Sequence, residues 1–519
     1  MKPLGTVTMH YDFVDGQERE VLISIMSEAT NYQDFVVRLG KHIQFKDATP
    51  VLAHIAAWHA WELRESEVTE SIAKEFGDHP IVRPWTYPLR SRGDRLSIQD
   101  EVASAVESAL ATNPAKWLRM ELLILKAYIL ILTPQGSSAL DEAKALLEEN
   151  PELRCYFPHV CHIDARIKWQ EADLNNALRT CDQGIDAARE LDNVYETARL
   201  VAWRGILTSS FQPREALAYH EEAYNLATSL GDQFLMAAVL IEMGYVSVIL
   251  GEFDLALKYL QKGTSVYTPQ EGPTDQHAVA LSLIEFDLGH FDEALTWANW
   301  ALEKHRDVGS EGDVWTVCAM TLALTALGRL EEASLRLDTA RKLAFESGQE
   351  PDMAFYYYAS GNYEVGLGNL ETGLQLVEDA LVIFERQGDR AFVNRCLHTL
   401  AQLELKLLRE RNGKPIAPPS RSWMRRLELH GRDNKLPGFI LQHALLQADY
   451  WLMEKDPEAA RETLVRALDH GHSPGVKSLK DKIEEKIKQI DMENGEARSN
   501  TVTKFEDVDK KKGQRRQGL

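Results

Sequence analysis

A seven-residue phrase recurs four times in the middle of this chain, at nearly constant spacing. It reads LGEFDLA at residues 250–256, LGHFDEA at 288–294, LGRLEEA at 327–333 and LGNLETG at 367–373. Successive glycines of the phrase lie 38, 39 and 40 residues apart. Each interval holds two apolar patterns of helical length, and a repeat of this size is typical of stacked helix pairs. The repetition therefore predicts a helical repeat architecture rather than a globular catalytic fold.

Each small residue in the phrase has a predicted geometric role. Gly251 can end the first helix of a pair, helix A, in a left-handed conformation that is costly for other residues. Gly244, seven residues earlier, lets helix A approach the second helix, helix B, and Ala256 allows the same from helix B. The other copies place corresponding small residues at Gly289, Ala294, Gly328, Ala333, Gly361 and Gly368.

The spacing of large, small and aromatic residues around the first copy follows a known pattern. It resembles that of tetratricopeptide (TPR) repeats, although Gly263 stands where that family usually has alanine. The family repeat has about 34 residues, whereas units of about 40 residues resemble the longer repeats of kinesin light chains and many prokaryotic regulators. The resemblance implies an all-α fold, a right-handed superhelical solenoid of stacked antiparallel helix pairs. The positions that carry it are Leu240, Met243, Gly244, Gly251, Phe253, Ala256, Leu260 and Gly263.

Weaker copies of the pattern define a domain organisation. We expect a mostly helical N-terminal region at residues 1–113 and a solenoid of seven to eight repeats at 114–473, interrupted by an insertion near 410–422. A charged helix at 474–492 would cap the solenoid, and a polar, disordered tail would follow at 493–519. In such a solenoid each repeat packs only on its neighbours.

The N-terminal region differs from the repeats. Strict alternation at residues 6–14 predicts a short strand, which would need a partner strand that the sequence does not reveal. Residues 18–39 predict one helix, and residues 50–76 predict one or two more. A further helix is predicted over residues 97–112, stopped by Asn113 and Pro114.

Charge and cysteine content narrow the class of partner and the compartment. A formal net charge of −21 would repel a phosphate backbone, which argues against nucleic acid as the partner of the solenoid. A basic cluster at residues 510–516 could be a localisation or nucleic-acid patch, although such runs are more often solvated termini. Five scattered cysteines suit a reducing compartment, and the N-terminus lacks the apolar core of a signal peptide. We therefore expect a cytoplasmic protein that does not enter membranes.

The chain contains no recognisable catalytic motif. Phosphate-binding glycine loops, zinc-protease motifs and nucleophile elbows are all missing from the sequence. Cys155, His159, Cys161 and His162 form the best candidate zinc set, but their spacing is irregular, and Cys161 would turn away from the face that His159 and His162 share. We favour core cysteines beside groove histidines and expect no metal or cofactor. His54 and His59 should lie on different faces of one helix, as packing or surface residues rather than ligands.

The family resemblance also implies a binding surface. Similar TPR solenoids bind partners along a concave groove lined by helix A, where four positions per helix face inward at spacings of three, four and three residues. The middle of this predicted groove is apolar and aromatic, and arginines and histidines lie at its ends. The expected partner-binding residues are His162, Arg166, Trp169, Val201, Ile241, Tyr245, Val279, Phe286, Trp315, Leu322, Tyr358, Asn362, Arg395 and His398.

The groove pattern favours one kind of ligand over another. TPR domains that grip a C-terminal carboxylate use Lys, Asn and Arg on helix A, and here only Asn362 matches, with Tyr358 at the expected Lys position. A peptide or helix with apolar anchors fits better. Two alternatives stay open: these residues pack against helix B, or the N-terminal segment or the tail fills the groove.

Three functional hypotheses follow. In the first, the chain is a non-catalytic scaffold or adaptor that binds a protein segment in its groove. In the second, it is the regulatory subunit of a signalling or transcription system, and its N-terminal region docks a catalytic or DNA-bound partner. The third places an enzyme activity in residues 1–113, where no nucleophile–base pair or ligand set is visible in the sequence.

Overall fold

The computed structural model describes residues 13–14, 16–45, 48–87, 92–131, 133–171, 173–266, 275–307, 312–410, 422–469 and 473–493. Within these residues every regular element is a helix. The described part of the N-terminal region holds five α-helices and a 3₁₀ turn at Arg83–Trp85. The helices are α1 Gly16–Glu28, α2 Tyr32–Phe45, α3 Pro50–Leu63, α4 Ser66–Phe76 and α5 Arg92–Leu110.

A succession of helices joined mostly by short turns follows the N-terminal region. Their bounds are α6 Lys116–Ile129, α7 Pro134–Glu149, α8 Phe157–Gln170, α9 Leu174–Glu190, α10 Val194–Thr208, α11 Pro213–Leu230, α12 Gln233–Ile249, α13 Phe253–Thr264, α14 Asp275–Leu288, α15 Phe291–Asp307, α16 Val314–Ala326, α17 Leu330–Ser347, α18 Glu350–Gly366, α19 Leu370–Gln387, α20 Arg390–Glu410, α21 Trp423–Asp433, α22 Pro437–Met453 and α23 Pro457–Leu468. A 3₁₀ turn at Pro474–Val476 then leads into a helix over residues 477–493.

Consecutive helices pack against each other as pairs. This holds for α6–α7, α8–α9, α10–α11, α14–α15, α18–α19, α20–α21 and α22–α23. In all of these except α20–α21 the turn is two to four residues long, so the two helices run antiparallel. Neighbouring pairs also pack on one another, as α9 does on α10 and α19 on α20. The prediction of an all-α stack of antiparallel helix pairs is confirmed.

The glycines of the repeated phrase end helix A in a left-handed conformation. Gly251, Gly289, Gly328 and Gly368 have φ angles of 71°, 84°, 73° and 89°, and helix B begins two residues after each of them. At the first copy the amide of Gly251 donates to the Val248 carbonyl at 2.9 Å, which satisfies a carbonyl at the helix end. A side chain at these positions would strain the backbone.

The other small residues of the phrase lie where helices approach closely. A Cβ added to Gly361 in α18 would come within 3.0 Å of the Gly373 carbonyl oxygen in α19. Ala256, Ala294 and Ala333 are fully buried at the start of their B helices.

The chain divides into two compact units. Unit 1 comprises residues 1–246 and 258–323, and unit 2 comprises residues 247–257 and 324–519. The short segment 247–257 is held in unit 2 by residues far away in sequence. Asn394 Nδ2 donates to the Ile249 carbonyl at 3.1 Å, and Ser473 Oγ donates to a Glu252 carboxylate oxygen at 2.9 Å. The expectation that each repeat contacts only its neighbours is therefore wrong at this segment.

The N-terminal helices differ from the sequence prediction in two respects. The helix predicted over residues 97–112 begins earlier, since α5 runs from Arg92 to Leu110. The pattern predicts one helix over residues 18–39, whereas the structure ends α1 at Glu28 and starts α2 at Tyr32. Asn31 Oδ1 accepts a hydrogen bond from the Asp34 amide, and Asp34 accepts one from the Thr30 amide, both at 2.8 Å. This reciprocal capping explains the break, because it satisfies amides that a continuous helix would bond internally.

Several predictions fall largely outside the described residues. These are the strand at residues 6–14, the insertion near 410–422, the polar tail at 493–519 and its basic cluster. Among the helices that are described, none combines the length and the apolar character that crossing a membrane requires.

Candidate functional site

Three helices of unit 1 bring ionisable side chains together away from solvent. Glu62 lies in the last turn of α3, His159 in the first turn of α8 and Glu196 in the first turn of α10. Their exposed fractions are 7%, 3% and 0%. We call these three residues the Glu62 cluster. Because buried charges are stable only when they are paired, the contacts around this cluster determine what it can do.

Local caps define the end of α3 and the start of α10. Arg64 closes α3 with a φ of 59°, and its amide donates to the carbonyls of Ala60 and Trp61. A left-handed conformation at a residue other than glycine is uncommon and marks local strain. At α10 the Asn193 side chain caps the helix by accepting from the Glu196 amide at 3.0 Å. These caps fix where the two carboxylates enter the cluster.

Glu62 is held by four partners. One carboxylate oxygen is 3.1 Å from His159 Nε2, and the other accepts from the Tyr32 hydroxyl and lies 3.3 Å from His59 Nδ1. The Glu62 backbone carbonyl accepts from the Tyr195 hydroxyl at 2.6 Å. Glu62 thus links the N-terminal region to both α8 and α10.

Glu196 is surrounded by cationic or ionisable groups. Its Oε1 accepts from Arg199 Nη1 at 2.7 Å and lies 3.5 Å from His159 Nε2. Its Oε2 lies 3.4 Å from His162 Nδ1 and makes no hydrogen bond. His159 therefore faces two carboxylates with one ring nitrogen.

Pairing and burial shift the pKa values in opposite directions. Burial opposes charge on Glu62 and Glu196, but the facing histidines, and Arg199 at Glu196, hold both carboxyl pKa values below their ordinary range. Burial likewise opposes charge on His159, but the Glu196 and Glu62 carboxylates raise its pKa. For His162, burial and the Arg199 guanidinium lower the pKa to about 4. At neutral pH the structure thus favours two carboxylates, a charged Arg199 and a neutral His162.

A small cavity of about 80 Å³ adjoins the cluster. Glu62 and Arg199, the partner of Glu196, line the cavity, and the Arg64 guanidinium in its wall lies 3.9 Å from the Phe234 ring centre. Burial raises the pKa of the Asp232 carboxyl, which also lines the cavity, to about 6. The full lining is Trp61, Glu62, Arg64, Tyr128, Tyr195, Arg199, Asp232, Phe234 and Leu235.

The candidate zinc set suggested by the sequence is only half assembled. His159 and His162 share a face of α8, as the spacing predicts, and both approach Glu196. Cys161 is buried elsewhere, close to Gly184, and burial raises the pKa of its thiol to about 12. Among the described residues, the one group of three or more metal-ligating side chains within coordination distance is Glu62, His159 and Glu196.

His54 and His59 lie on different faces of α3, as their spacing predicts. Neither is a surface residue, since both are fully buried and both have hydrogen-bonding partners. His59 supports Glu62, and His54 bonds Glu121 at 2.5 Å.

The residues expected to line the groove differ widely in exposure. Trp169 is 46% exposed, whereas the others are buried or half-buried. Buried residues are His162, Val201, Ile241, Val279, Leu322, Tyr358 and Arg395. Half-buried residues are Arg166, Tyr245, Phe286, Trp315, Asn362 and His398.

The N-terminal region lies against helix-A residues of the first pairs. Besides the Glu62 contacts to α8 and α10, Asn31 approaches Gly231 just before α12, and α5 contacts α14. Tyr195 and Ala198 of α10 belong to the same apolar core as Tyr32 of α2. In unit 1, therefore, N-terminal helices occupy part of the helix-A surface that the sequence assigned to a partner.

Sequence reasoning missed most of the cluster. Glu62, Glu196 and Arg199 match no motif, and Glu62 lies 97 residues before His159 in the chain. The available signals were two pairs at helical i,i+3 spacing, His59 with Glu62 and Glu196 with Arg199. Such pairs are common on exposed helix faces, so the spacing alone does not identify a buried site.

No protein-family model matches this chain, and neither does any curated protein. Solved helical repeat structures do show similarity. A signal transduction ATPase with a tetratricopeptide repeat sensor from Pyrococcus horikoshii is 15% identical with a TM-score of 0.40, and the match covers 73% of this chain but only 56% of that longer protein.

Two further solved structures are similar over most of their length. A Rap protein complexed with competence and sporulation factor is 14% identical over 73% of this chain and 99% of its own, with a TM-score of 0.36. The human IFIT1 dimer with PPP-AAAA is 13% identical over 79% of this chain and 90% of its own, with a TM-score of 0.40. Identities and scores this low transfer no function to the present chain.

Proposed function

We propose that this chain is a non-catalytic interaction protein that binds a segment of a partner protein on helix-A residues of unit 1. The observation that carries the proposal is a series of large aromatic side chains, Tyr245, Phe286 and Trp315, that are only half-buried on α12, α14 and α16. These residues lie beyond the repeats whose helix-A contacts to Glu62 are described above.

Half-buried aromatic rings are suited to this role. Each ring offers a large apolar area at low cost in side-chain entropy, and such residues dominate the binding energy of protein interfaces. An extended peptide or an amphipathic helix with apolar anchors at regular spacing would match a series of rings on successive helices. The net charge of −21 favours a partner segment with basic flanks.

The proposal is tested with peptides selected against the purified full chain from a random library. The variant Tyr245→Ala/Phe286→Ala/Trp315→Ala should bind the selected peptides about tenfold or more weakly, because three anchors are lost. Fluorescence anisotropy measures the affinity, and thermal melting checks that the variant is folded.

A matched control removes three other apolar side chains from the B-helix surface. Leu335, Phe345 and Val382 are 71%, 62% and 63% exposed, and their triple alanine variant should retain the affinity. Failure to select any peptide, or an equal loss in both variants, would contradict the proposal. The sequence of the selected peptides would separate an adaptor from a regulatory subunit, because it points to the class of natural partner.

A further inference from the structure

We propose that Glu62, His159 and Glu196 form a binding site for a first-row divalent transition metal ion such as zinc. The site lies in unit 1 and is independent of the proposed peptide surface. No sequence motif marks it, and its ligands come from three helices. The proposal rests on the geometry of the donor atoms, on a buried carboxylate oxygen that makes no hydrogen bond and on the neighbouring cavity.

The donor atoms are spaced as they would be around a bound ion. His159 Nε2 lies 3.1 Å from Glu62 Oε1 and 3.5 Å from Glu196 Oε1, and the three donors lie within 4.8 Å of one another. Ligands about 2.0–2.1 Å from a tetrahedral zinc ion are roughly 3.3–3.4 Å apart. One imidazole nitrogen and two carboxylates are ligands that zinc, iron and manganese accept.

The hydrogen bonds within the cluster do not satisfy all of its carboxylate oxygens, which favours binding of a further cation. A neutral or charged imidazole has at most one proton on Nε2, yet two carboxylate oxygens face that atom. Glu196 Oε2 is buried and makes no hydrogen bond, and its neighbour His162 Nδ1 lies 3.4 Å away. Because a buried carboxylate oxygen without a hydrogen bond is costly, an ion that binds both carboxylates would stabilise this arrangement.

The surrounding residues would orient the ligands. The Tyr32 hydroxyl and His59 hold the second oxygen of Glu62, and Arg199 holds Glu196. Ligating carboxylates in metal sites are commonly fixed in this way. The His159 ring is instead held by packing, since its centre lies 5.5 Å from that of Trp58.

The net charge of the site, together with the cavity that Glu62 lines, favours an open fourth position. Glu62 and Glu196 with Arg199 sum to one negative charge, and a divalent ion would change this to one positive charge. A hydroxide or another anionic ligand from the adjoining cavity would balance it. Three protein ligands and one exchangeable position are a common arrangement for zinc. The alternative to a bound metal ion is a proton on His159, and the experiment below distinguishes the two.

The test uses the full chain, stripped with a chelator and then titrated with Zn²⁺ in competition with a chromophoric chelator. We expect one ion per chain, and Co²⁺ in place of Zn²⁺ should give the visible absorption of a low-symmetry site. Glu196→Gln and His159→Gln should each weaken binding by about tenfold or more. Circular dichroism verifies that each variant is folded.

The second buried histidine–glutamate pair provides the matched control. His54 and Glu121 are as deeply buried, but one histidine faces only one carboxylate there. His54→Gln and Glu121→Gln should keep the ion, and saturating Zn²⁺ should raise the Tm of the parent chain but not that of Glu196→Gln. Binding of protons only, with no stoichiometric ion in the parent chain, would overturn the proposal, and so would equal loss of the ion in the control variants.

Discussion

Unit 1 contains two buried histidine–glutamate sites made of the same residue types but completed differently. At the first, His54 places Nδ1 2.8 Å from the Ile81 carbonyl and Nε2 2.5 Å from Glu121, whose other oxygen accepts from the Tyr156 hydroxyl at 2.7 Å. At the second, the Glu62 cluster, two carboxylates share one histidine nitrogen, and Glu196 Oε2 has no hydrogen bond.

The difference separates a structural pair from a candidate ligand site. In the His54 site both ring nitrogens and both carboxylate oxygens have partners, so nothing there calls for a ligand. The Glu62 cluster has more negative charge than its hydrogen bonds satisfy and lies beside a cavity. Two buried sites built from the same residue types can therefore differ in function. What distinguishes them is whether each hydrogen-bond donor and acceptor already has a partner.

The largest expected effect comes from removing the central carboxylate of each site. Glu62→Ala should lower the free energy of unfolding by about 3–5 kcal/mol in metal-free buffer, because His59, His159 and Tyr32 each lose a buried carboxylate partner. Glu121→Ala should cost about 2–3 kcal/mol, since His54 and Tyr156 lose their carboxylate partner. Urea unfolding followed by tryptophan fluorescence measures both changes in the free energy of unfolding, because Trp58 packs on His159 and Trp85 packs on His54. A smaller cost for Glu62→Ala would reverse the comparison.

A buried histidine that has no carboxylate partner allows the pH dependence of stability to be compared as well. His220 in α11 packs against Gly205, neither of its ring nitrogens has a partner, and burial lowers its pKa to about 3. Because the unfolded chain takes up this proton near pH 6.5, the folded state loses stability as the pH falls below that value. His220→Leu removes this loss, so its advantage over the parent chain should grow by about 2 kcal/mol between pH 7.5 and pH 5.

Urea unfolding at the two pH values measures the His220 effect. His159 provides the reference, because its two carboxylate partners raise its pKa. An advantage for His220→Leu that stays constant with pH would show that His220 is protonated as readily in the folded chain as in the unfolded one.

The smallest expected effect comes from removing one tyrosine hydroxyl at each site. Tyr156→Phe should cost about 2 kcal/mol, because it removes the hydrogen bond to Glu121 Oε1. Tyr32→Phe should cost about 1 kcal/mol, because His59 and His159 still hold Glu62. Thermal melting of the two variants gives the difference, and a larger loss for Tyr32→Phe would mean that its hydroxyl holds the cluster together.

The helical repeat fold could be predicted because its signal is local and repeated. Gly251 and its counterparts mark each helix end through a backbone conformation that glycine adopts easily, and the period then fixes the succession of helices. The break at residues 29–31 could not be predicted from periodicity, since it depends on side-chain caps that interrupt an otherwise helical pattern.

The candidate site was predictable only in part. Helix geometry correctly placed His159 and His162 on one face of α8. Their carboxylate partners come from α3 and α10, and no pattern along the chain indicates that these helices meet. The groove residues remain a prediction, because their positions follow from the family register and the N-terminal helices cover part of that surface.

The hydrogen bonds of Glu62 also constrain the order in which the chain can fold during synthesis. Its partners His159 and Tyr195 are synthesised 97 and 133 residues later. At about 5–20 residues per second, roughly 7–27 s pass between the synthesis of Glu62 and that of Tyr195 in α10. During that interval Glu62 stays hydrated, and the apolar side of α3 is not yet buried against α8 and α10. We therefore expect the N-terminal helices to complete their folding only after the repeats around α10 have left the ribosome.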